Sequence, residues 1–389
     1  MFEFADRVKR LPPYLFAEIE KTIKEKEALG IDLISLSIGD PDLPPPPIVI
    51  DGLKEEVVNL KNHNYSLSQG EPEFRLAIAE WYKKRFHVDL EEDEIIALMG
   101  SKEGLANIAR AFVNPGDRVL VPDPSYPVYN NASTILNNGV AVPMPLLQEN
   151  GFKPDLDNVT SEKVKMMFLN YPNNPTSATV DKKFLKQVVE FAQDNDIILC
   201  YDNAYSEITF DSHKASSILE IDGAKDVAIE FHSCSKTFNM TGDRIAFAAG
   251  NKQLISGLTK VKAQIDSGPS VYIQKVAVKA LSTYKNDDPP DFLRENNRLY
   301  AERRDVLIEN LSKLGFKCHK PKATFYVWLN CNSNSIEFAA KLLSVGVVVT
   351  PGIGFGQHGE GYVRFSLTQS KERIVEASKR ISSLLGCTV

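Results

Sequence analysis

The sequence predicts an α/β fold in which a large domain with a mostly parallel central sheet is joined to a smaller α+β domain. The chain has 389 residues, enough for two domains at roughly 150 residues each. From residue 72 to about 285, short apolar runs alternate with segments of helical periodicity, which is typical of a parallel sheet. After about residue 286 this alternation gives way to a long charged helix followed by mixed elements.

The domain boundaries follow from this change of pattern. We assign residues 46–286 to the large domain, and residues 1–45 and 287–389 to the small domain. The proline-rich stretch 41–47 is incompatible with regular structure and is expected to cross between the two domains.

Each element is predicted from its apolar pattern, in chain order. Helices have an apolar face that repeats every three to four residues, and they are predicted at 14–29 (closed by Gly30), 72–86, 103–113, 182–194, 291–314, near 335–344 and at the C-terminal end. Strands are predicted from short apolar runs at 31–39, 118–121, 164–169, 197–201, 227–231, 244–249, 325–329, 345–349 and 362–367.

Composition and charge exclude several classes of protein. Apolar residues make up 43% and charged residues 25%, as in globular proteins. A net charge of −6 without basic clusters argues against nucleic acid or anionic membrane as a partner. No apolar run is long enough to span a membrane, and the N-terminus lacks a secretory signal, so we expect a cytoplasmic protein. The five cysteines and six histidines show no metal-ligand spacing, so no metal is expected.

The densest chemistry lies at residues 233–244, SCSKTFNMTGDR. Lys236 would emerge from the carboxyl end of the strand VAIEF, the edge at which ligand crevices open in α/β sheets. Ser233, Ser235 and Arg244 could bind one phosphate through hydroxyl and guanidinium donors. A lysine beside a phosphate site suggests a Schiff base with pyridoxal 5'-phosphate (PLP). The alternative is a solvated loop with serine caps.

Four further segments could complete such a site, and each also has a purely structural explanation. Asp202, just beyond IILCY, could pair with the pyridine nitrogen, and Tyr205 with the phenolate oxygen; Asp202 could instead cap a helix. Asn174 could donate to the same phenolate oxygen or lie in an ordinary Asn-Pro turn. Ser101 could begin a phosphate-binding helix or merely cap it. Tyr126 could stack on the pyridine ring or pack within its loop.

Taken together, these segments resemble the PLP-dependent aminotransferases of class I/II, which have fold type I, over essentially the whole chain. The matching segments are SIGDPDLPPP, YSLSQGEPEFRLAIAEWY, GSKEGLANIARAF, VPDPSYPVY, NYPNNPT, YDNAYSEI, SCSKTFNMTGDR and YVRFSL. Within the class the chain is most similar to the LL-diaminopimelate aminotransferases, through RLPPYLFAEIEK, GSKEGLA, NYPNNPT and AYSEITFD.

The resemblance implies a role for each matching residue. Lys236 corresponds to the Schiff-base lysine, and Asp202 to the partner of the pyridine nitrogen. The other cofactor positions implied are Ser101, Lys102, Ser233 and Arg244 at the phosphate, Tyr126 stacked on the ring, and Tyr205 and Asn174 at the phenolate oxygen. The substrate positions are Gly39, Asn174, Arg364 (which grips the α-carboxylate) and Tyr14. Tyr65 corresponds to a tyrosine that reaches the phosphate of the neighbouring subunit, which implies a homodimer with shared active sites.

The implied reaction is ping-pong transamination between an amino acid and a 2-oxo acid, with LL-diaminopimelate and 2-oxoglutarate as the expected pair. The alternatives are transamination of aspartate or another amino acid, a lyase or synthase of the same fold, and a catalytically silent binding module. Two positions depart from the family pattern. Ser177 replaces a usual glycine, which predicts a turn that does not need a positive φ. Asp243 replaces a frequent tryptophan, and we expect it to face solvent or to pair with Arg244.

Overall fold

A seven-stranded sheet forms the centre of the structure, a computed structural model that describes residues 2–13 and 15–386. The strands of this sheet and of two smaller sheets are, in chain order, β1 (Ile34–Ser35), β2 (Ile95–Leu98), β3 (Arg118–Asp123), β4 (Val140–Pro145), β5 (Val164–Asn170), β6 (Ile198–Asp202), β7 (Ala228–Ser233), β8 (Ala246–Gly250), β9 (Tyr326–Asn330), β10 (Val347–Val348), β11 (Thr350–Pro351) and β12 (Tyr362–Ser366). The sheet order is β2-β8-β7-β6-β5-β3-β4, and β8 runs in the direction opposite to that of the other six strands. The predicted mostly parallel sheet is confirmed.

Helices cover both faces of this sheet and extend beyond it. They are α1 (Asp6–Lys9), α2 (Leu15–Ala28), α3 (Pro47–Val57), α4 (Pro72–Phe86), α5 (Ser101–Phe112), α6 (Lys182–Asp194), α7 (Ala224–Val227), α8 (Cys234–Thr237), α9 (Lys252–Lys262), α10 (Val271–Leu281), α11 (Asp291–Lys313), α12 (Ser335–Ser344) and α13 (Lys371–Leu385). Among the helices described, none is both long and apolar enough to cross a membrane.

Three predicted helices, α4, α6 and α12, have the bounds expected from their periodicity. The prediction for residues 41–47 was wrong at its last residue, because Pro47 begins α3. Proline is tolerated at the first helical position, where its missing N–H would have had no helical partner. The sequence did not predict helices α3, α9 and α10, the single turns α1, α7 and α8, or strands β2 and β4.

Alternate residues of the central strands enter two separate apolar layers. In β5, Met166 and Phe168 pack in the layer that contains α5 and α9, whereas Met167 and Leu169 pack in the layer that contains α4, α6 and α10. Side chains alternate between the faces of a strand, and both faces here are covered by helices. The central strands are therefore mostly apolar, although β7 buries Glu230 and His232 within its length. Other buried polar side chains stand at the carboxyl ends of the strands.

The C-terminal part of the chain forms a separate antiparallel sheet of three strands, in the order β11-β12-β9. Arg364 in β12 lies directly opposite Trp328 in β9. The predicted strand 31–39 is confined to β1, which pairs in parallel with β10. The predicted strand 345–349 is confined to β10, and β11 begins just after it. The backbone N–H of Ser366 donates to the Leu36 carbonyl (2.7 Å), which joins the first and last parts of the chain.

Candidate active site

The polar ends of neighbouring parallel strands meet at one edge of the large sheet and open into a cavity of about 470 Å³. Strands β5, β6 and β7 end at Asn170, Asp202 and Ser233, respectively. The structure brings twelve of the predicted site residues together around this cavity: Gly39, Ser101, Lys102, Tyr126, Asn174, Asp202, Tyr205, Ser233, Ser235, Lys236, Arg244 and Arg364.

Lys236 lies in the single turn α8, directly after β7. Its Nζ donates a hydrogen bond to the backbone carbonyl of Gly39 (2.9 Å). Burial lowers the pKa of Lys236 to about 8, because a buried ammonium loses its hydration. The neutral, nucleophilic form of this amine is therefore more populated near neutral pH than that of an exposed lysine.

Asp202 is a buried carboxylate, 5% exposed, at the end of β6. One of its oxygens, Oδ2, accepts from the hydroxyl of Tyr129 (2.7 Å), and Oδ1 accepts from the backbone N–H of Ala204 (3.2 Å). Burial raises the pKa of Asp202 to about 6 in spite of these two bonds. The residues after Asp202 form turns, so the alternative in which this side chain caps a helix is wrong.

Two tyrosines that line the cavity, Tyr205 and Tyr326, form a hydrogen-bonded pair. The hydroxyls of Tyr205 and Tyr326 are 3.0 Å apart, and burial raises the pKa of Tyr205 well above its usual value. A Cβ atom at position 39 would lie only 1.8 Å from the hydroxyl oxygen of Tyr326. Glycine is therefore required at Gly39 for the backbone to approach both Tyr326 and Lys236.

Arg364 is the most deeply buried cation of the cavity, with 1% of its surface exposed. Its Nη1 donates to Oδ1 of Asn174 (2.7 Å), and its Nη2 donates to the Ser37 carbonyl (2.7 Å). The guanidinium also lies over the rings of Tyr326 (4.2 Å) and Phe355 (4.7 Å). Burial lowers the pKa of Arg364, so a carboxylate ligand would be a favourable counter-ion for it.

The N-terminal end of α5, which begins at Ser101, borders the cavity together with Lys102 and Arg244. Arg244 donates from Nη1 to the Thr241 carbonyl (2.8 Å), and its guanidinium passes over Gly100. A Cβ at Gly100, whose φ is +87°, would lie 2.1 Å from Nη2 of Arg244. The free N–H groups of a helix N-terminus together with a guanidinium suit a phosphate.

The structure shows the surroundings of Ser177 and Asp243, the two residues that depart from the family pattern. The prediction for Ser177 was wrong, because its φ is +60°. The serine hydroxyl bonds to the Thr324 hydroxyl and to the Tyr326 carbonyl, both at 2.8 Å, which offsets the strain of the left-handed conformation. Asp243 is half-buried, burial raises its pKa, and among the described residues it forms no ion pair with Arg244.

One predicted site residue is not brought into the cavity, and one cannot be placed. Tyr65 is 93% exposed and lies outside it, and Tyr14 lies outside the described residues.

Sequence reasoning also missed several residues that line the cavity: Glu20, Asp40, Tyr129, Asn170, Thr241 and Tyr326. Asn170 connects the strand ends, since its Nδ2 donates to the Asp202 carbonyl and its Oδ1 accepts from the Asn174 backbone N–H (both 2.8 Å). An asparagine that ends an apolar strand was a usable signal for this role.

The geometry defines an α/β enzyme with a nucleophilic lysine, a buried carboxylate and an anion site in one cavity. The family described as aminotransferase class I and II matches residues 31–381. The chain therefore belongs to the class I and II aminotransferases, which are PLP-dependent enzymes of fold type I.

Individual proteins match this chain over nearly its full length, both in sequence and in structure. The chain is 49% identical to the LL-diaminopimelate aminotransferase of Moorella thermoacetica, over 98% of each chain. It is 47% identical to the protein of the same name from Aquifex aeolicus, over 99% of this chain and all of the relative (100%). Among solved structures, substrate-bound BacF from Bacillus subtilis is 37% identical, with a TM-score of 0.93 over 99% of this chain and 98% of that one. Thermus thermophilus aspartate aminotransferase with maleate is 29% identical, with a TM-score of 0.92 over 99% and 100%.

The cavity fits the PLP that this family uses. Within the described residues Asp202 has hydroxyl and amide partners but no cation within ion-pair distance. A protonated ring nitrogen would supply that missing charge and would lower the pKa of the carboxyl group. The lysine and the phosphate-type donors line the same space, so the attachment, ring and phosphate requirements are all met.

Proposed function

We propose that this enzyme transfers the amino group of LL-diaminopimelate to 2-oxoglutarate. The observation that best supports this reaction is that Lys236, Asp202 and Arg364 line the same cavity. The choice of substrate is supported by the relatives named LL-diaminopimelate aminotransferases, at 49% and 47% identity over nearly the whole chain.

Lys236 is proposed as the attachment point of PLP and, once the substrate amine has displaced it, as the base that takes the proton from the substrate Cα. When bound, the cofactor supplies an electron-withdrawing ring that takes up the electron pair left by that proton. A pKa of about 8 suits a lysine that must both accept and return a proton near neutral pH.

The surrounding residues are proposed to hold the ring in its reactive state. Asp202 keeps the ring nitrogen protonated, and Tyr205 and Asn174 donate to the phenolate oxygen. Tyr129 orients Asp202 through its 2.7 Å hydrogen bond. The remaining cofactor contacts proposed are Tyr126 against the ring and Ser101, Lys102, Ser233, Ser235 and Arg244 at the phosphate.

Arg364 is proposed to bind the α-carboxylate of each substrate in turn, beside the backbone of Gly39. Its hydrogen bonds to Asn174 and Ser37 fix the plane of the guanidinium, as a two-pronged contact with a carboxylate requires. Because both the amino donor and the oxo-acid acceptor carry this carboxylate, the same arginine serves both half-reactions. Tyr14 stays a predicted contact of the substrate.

The enzyme is proposed to act as a cytoplasmic homodimer in which Tyr65 reaches the partner's phosphate site. The exposure of Tyr65 supports this proposal, as does that of the apolar side chains near it in sequence, Val58, Leu60 and Leu67, because exposed apolar clusters mark interfaces.

We also propose the domain division at 46–286. In its favour, the seven-stranded sheet lies wholly inside this range, and the three-stranded sheet lies wholly after it. The small sheet of β1 and β10 joins the first and last parts of the chain, as one shared domain requires.

The proposed substrate is tested by comparing kcat/KM for LL-diaminopimelate, aspartate, glutamate and tyrosine, each with a 2-oxo acid acceptor. We expect LL-diaminopimelate with 2-oxoglutarate to be the best pair, with one glutamate formed for each donor consumed. Turnover of aspartate without measurable turnover of LL-diaminopimelate would refute the substrate while leaving the class of enzyme intact. Repeated turnover of the donor without an acceptor, beyond one equivalent per active site, would indicate a lyase instead.

A further inference from the structure

A second cavity, of about 490 Å³, lies between the three-stranded sheet and the segment that follows β4. One wall is formed by residues 148–153 and 178–179, and the other by residues 317–330 and Tyr362. None of the residues that line it also lines the cofactor cavity. It is therefore a separate space, to which the proposed reaction assigns no role.

The lining of this cavity is strongly basic. Lys153, Lys317, Lys322 and His319 all line it, and no aspartate or glutamate does. Across residues 2–13 and 15–386, none of the three lysines has a carboxylate oxygen within the 4.0 Å of an ion pair. Lys153 instead lies over the ring of Phe184, at 5.4 Å. In a chain whose net charge is −6, such a concave group of uncompensated ammonium ions concentrates a positive potential.

An aromatic pair and an unsatisfied donor complete the cavity. The rings of Trp328 and Tyr362 are stacked, with centroids 5.2 Å apart and an interplanar angle of 3°. Trp328 is only 5% exposed, and its indole Nε1 is buried without a hydrogen-bond partner among the described residues. A buried donor of this kind usually has a partner in water or a ligand. The Tyr362 hydroxyl donates across the cavity to Oε1 of Gln148 (2.8 Å), so its two walls already touch at one point.

We propose that this basic cavity binds a compact polyanion, a small molecule with two or more negative charges on carboxylate or phosphate groups. Lys153, Lys317 and Lys322 provide the charge, and the indole N–H of Trp328 donates to one ligand oxygen. Because the ligand would contact both walls, it would also join the three-stranded sheet to the segment 148–153. Its binding should therefore raise the temperature of unfolding.

Isothermal titration calorimetry of the PLP-loaded enzyme with pyrophosphate, at low ionic strength, tests the proposal, and a parallel titration with citrate distinguishes phosphate from carboxylate recognition. We expect one site per chain for at least one of the two anions, with no change in the absorption of the bound cofactor. The double variant Lys317→Gln/Lys322→Gln should weaken binding at least tenfold. Its matched control, Lys341→Gln/Lys379→Gln, removes two exposed lysines elsewhere and should leave the affinity unchanged.

The variant Trp328→Phe keeps an aromatic ring but removes the donor, and should weaken binding severalfold. The chain has two tryptophans, so the indole N–H region of an NMR spectrum contains two signals, and only that of Trp328 should move on titration. Absence of binding by both anions at millimolar concentration would overturn the proposal. Undiminished binding in the double lysine variant, or an equal loss in the control pair, would overturn it as well.

Discussion

The hydrogen bond from Tyr129 to Asp202 predicts a specific change in how tightly the apoenzyme binds PLP at different pH values. The bond is 2.7 Å long, buried, and ends on a carboxylate. Hydrogen bonds to charged groups contribute about 1.5–3 kcal/mol, and one pKa unit corresponds to about 1.4 kcal/mol. Because this bond stabilises the ionised form, Tyr129→Phe should raise the pKa of Asp202 by about one to two units above its value of about 6.

The expected effect of Tyr129→Phe on PLP binding differs between neutral and alkaline pH. At pH 7 the carboxylate of the parent apoenzyme is mostly ionised, whereas that of Tyr129→Phe would be half or more protonated. The variant should therefore bind PLP about two- to tenfold more weakly than the parent at pH 7, and almost equally at pH 9. The dissociation constant of PLP, measured against pH by fluorescence titration, checks this difference.

A matched control removes a neighbouring tyrosine hydroxyl that does not touch the carboxylate. Tyr201 lies one residue before Asp202 and donates to the backbone carbonyl of Tyr171 (2.9 Å). Tyr201→Phe should leave the pH dependence of PLP binding unchanged. If Tyr129→Phe weakens binding equally at both pH values, the hydroxyl has a merely structural role and the electrostatic argument is refuted.

Three further predictions concern the same cavity. Asp202→Asn should still bind PLP but lose several orders of magnitude in kcat, because an amide cannot keep the ring nitrogen protonated; a near-normal kcat would contradict this role. Gly39→Ala should fold normally but lose activity, since its Cβ would displace the Tyr326 hydroxyl, 1.8 Å away; kcat/KM and thermal unfolding measured together check both parts. Mixing Tyr65→Phe with Lys236→Ala subunits should restore activity if Tyr65→Phe alone is clearly impaired, because one site of each mixed dimer would then be intact. No recovery on exchange would show that both residues serve the site of their own chain.

The fold was predictable wherever one apolar pattern extended over several turns or strands. Helices α4 and α6 have their expected bounds because each buries one continuous stripe against the sheet. Strand β4 was missed because it carries Pro143 and Pro145 and lies at the edge of the sheet, where only β3 pairs with it. Proline is tolerated at such an edge, but it removes the usual signal of a strand.

The site was predictable where its residues directly follow strands, and was not where they come from distant segments. Lys236, Asp202 and Asn174 are polar residues next to apolar runs and could be found in the sequence. Tyr326, by contrast, lies in the apolar run FYVWL, which looks like ordinary core. Its hydroxyl reaches the cavity only because Gly39, nearly three hundred residues away along the chain, leaves room for it.

The central claim is that Lys236 and its neighbours carry out transamination of LL-diaminopimelate, and a single-turnover experiment tests it most directly. The PLP-loaded enzyme is mixed with LL-diaminopimelate in the absence of an acceptor, and the absorption of the bound cofactor is followed; 2-oxoglutarate is then added. We predict a complete spectral change in the first step, followed by full recovery with one glutamate formed per active site, and neither step in Lys236→Ala. A full cycle in Lys236→Ala, or a parent enzyme whose spectrum changes with other amino acids but not with LL-diaminopimelate, would contradict the claim.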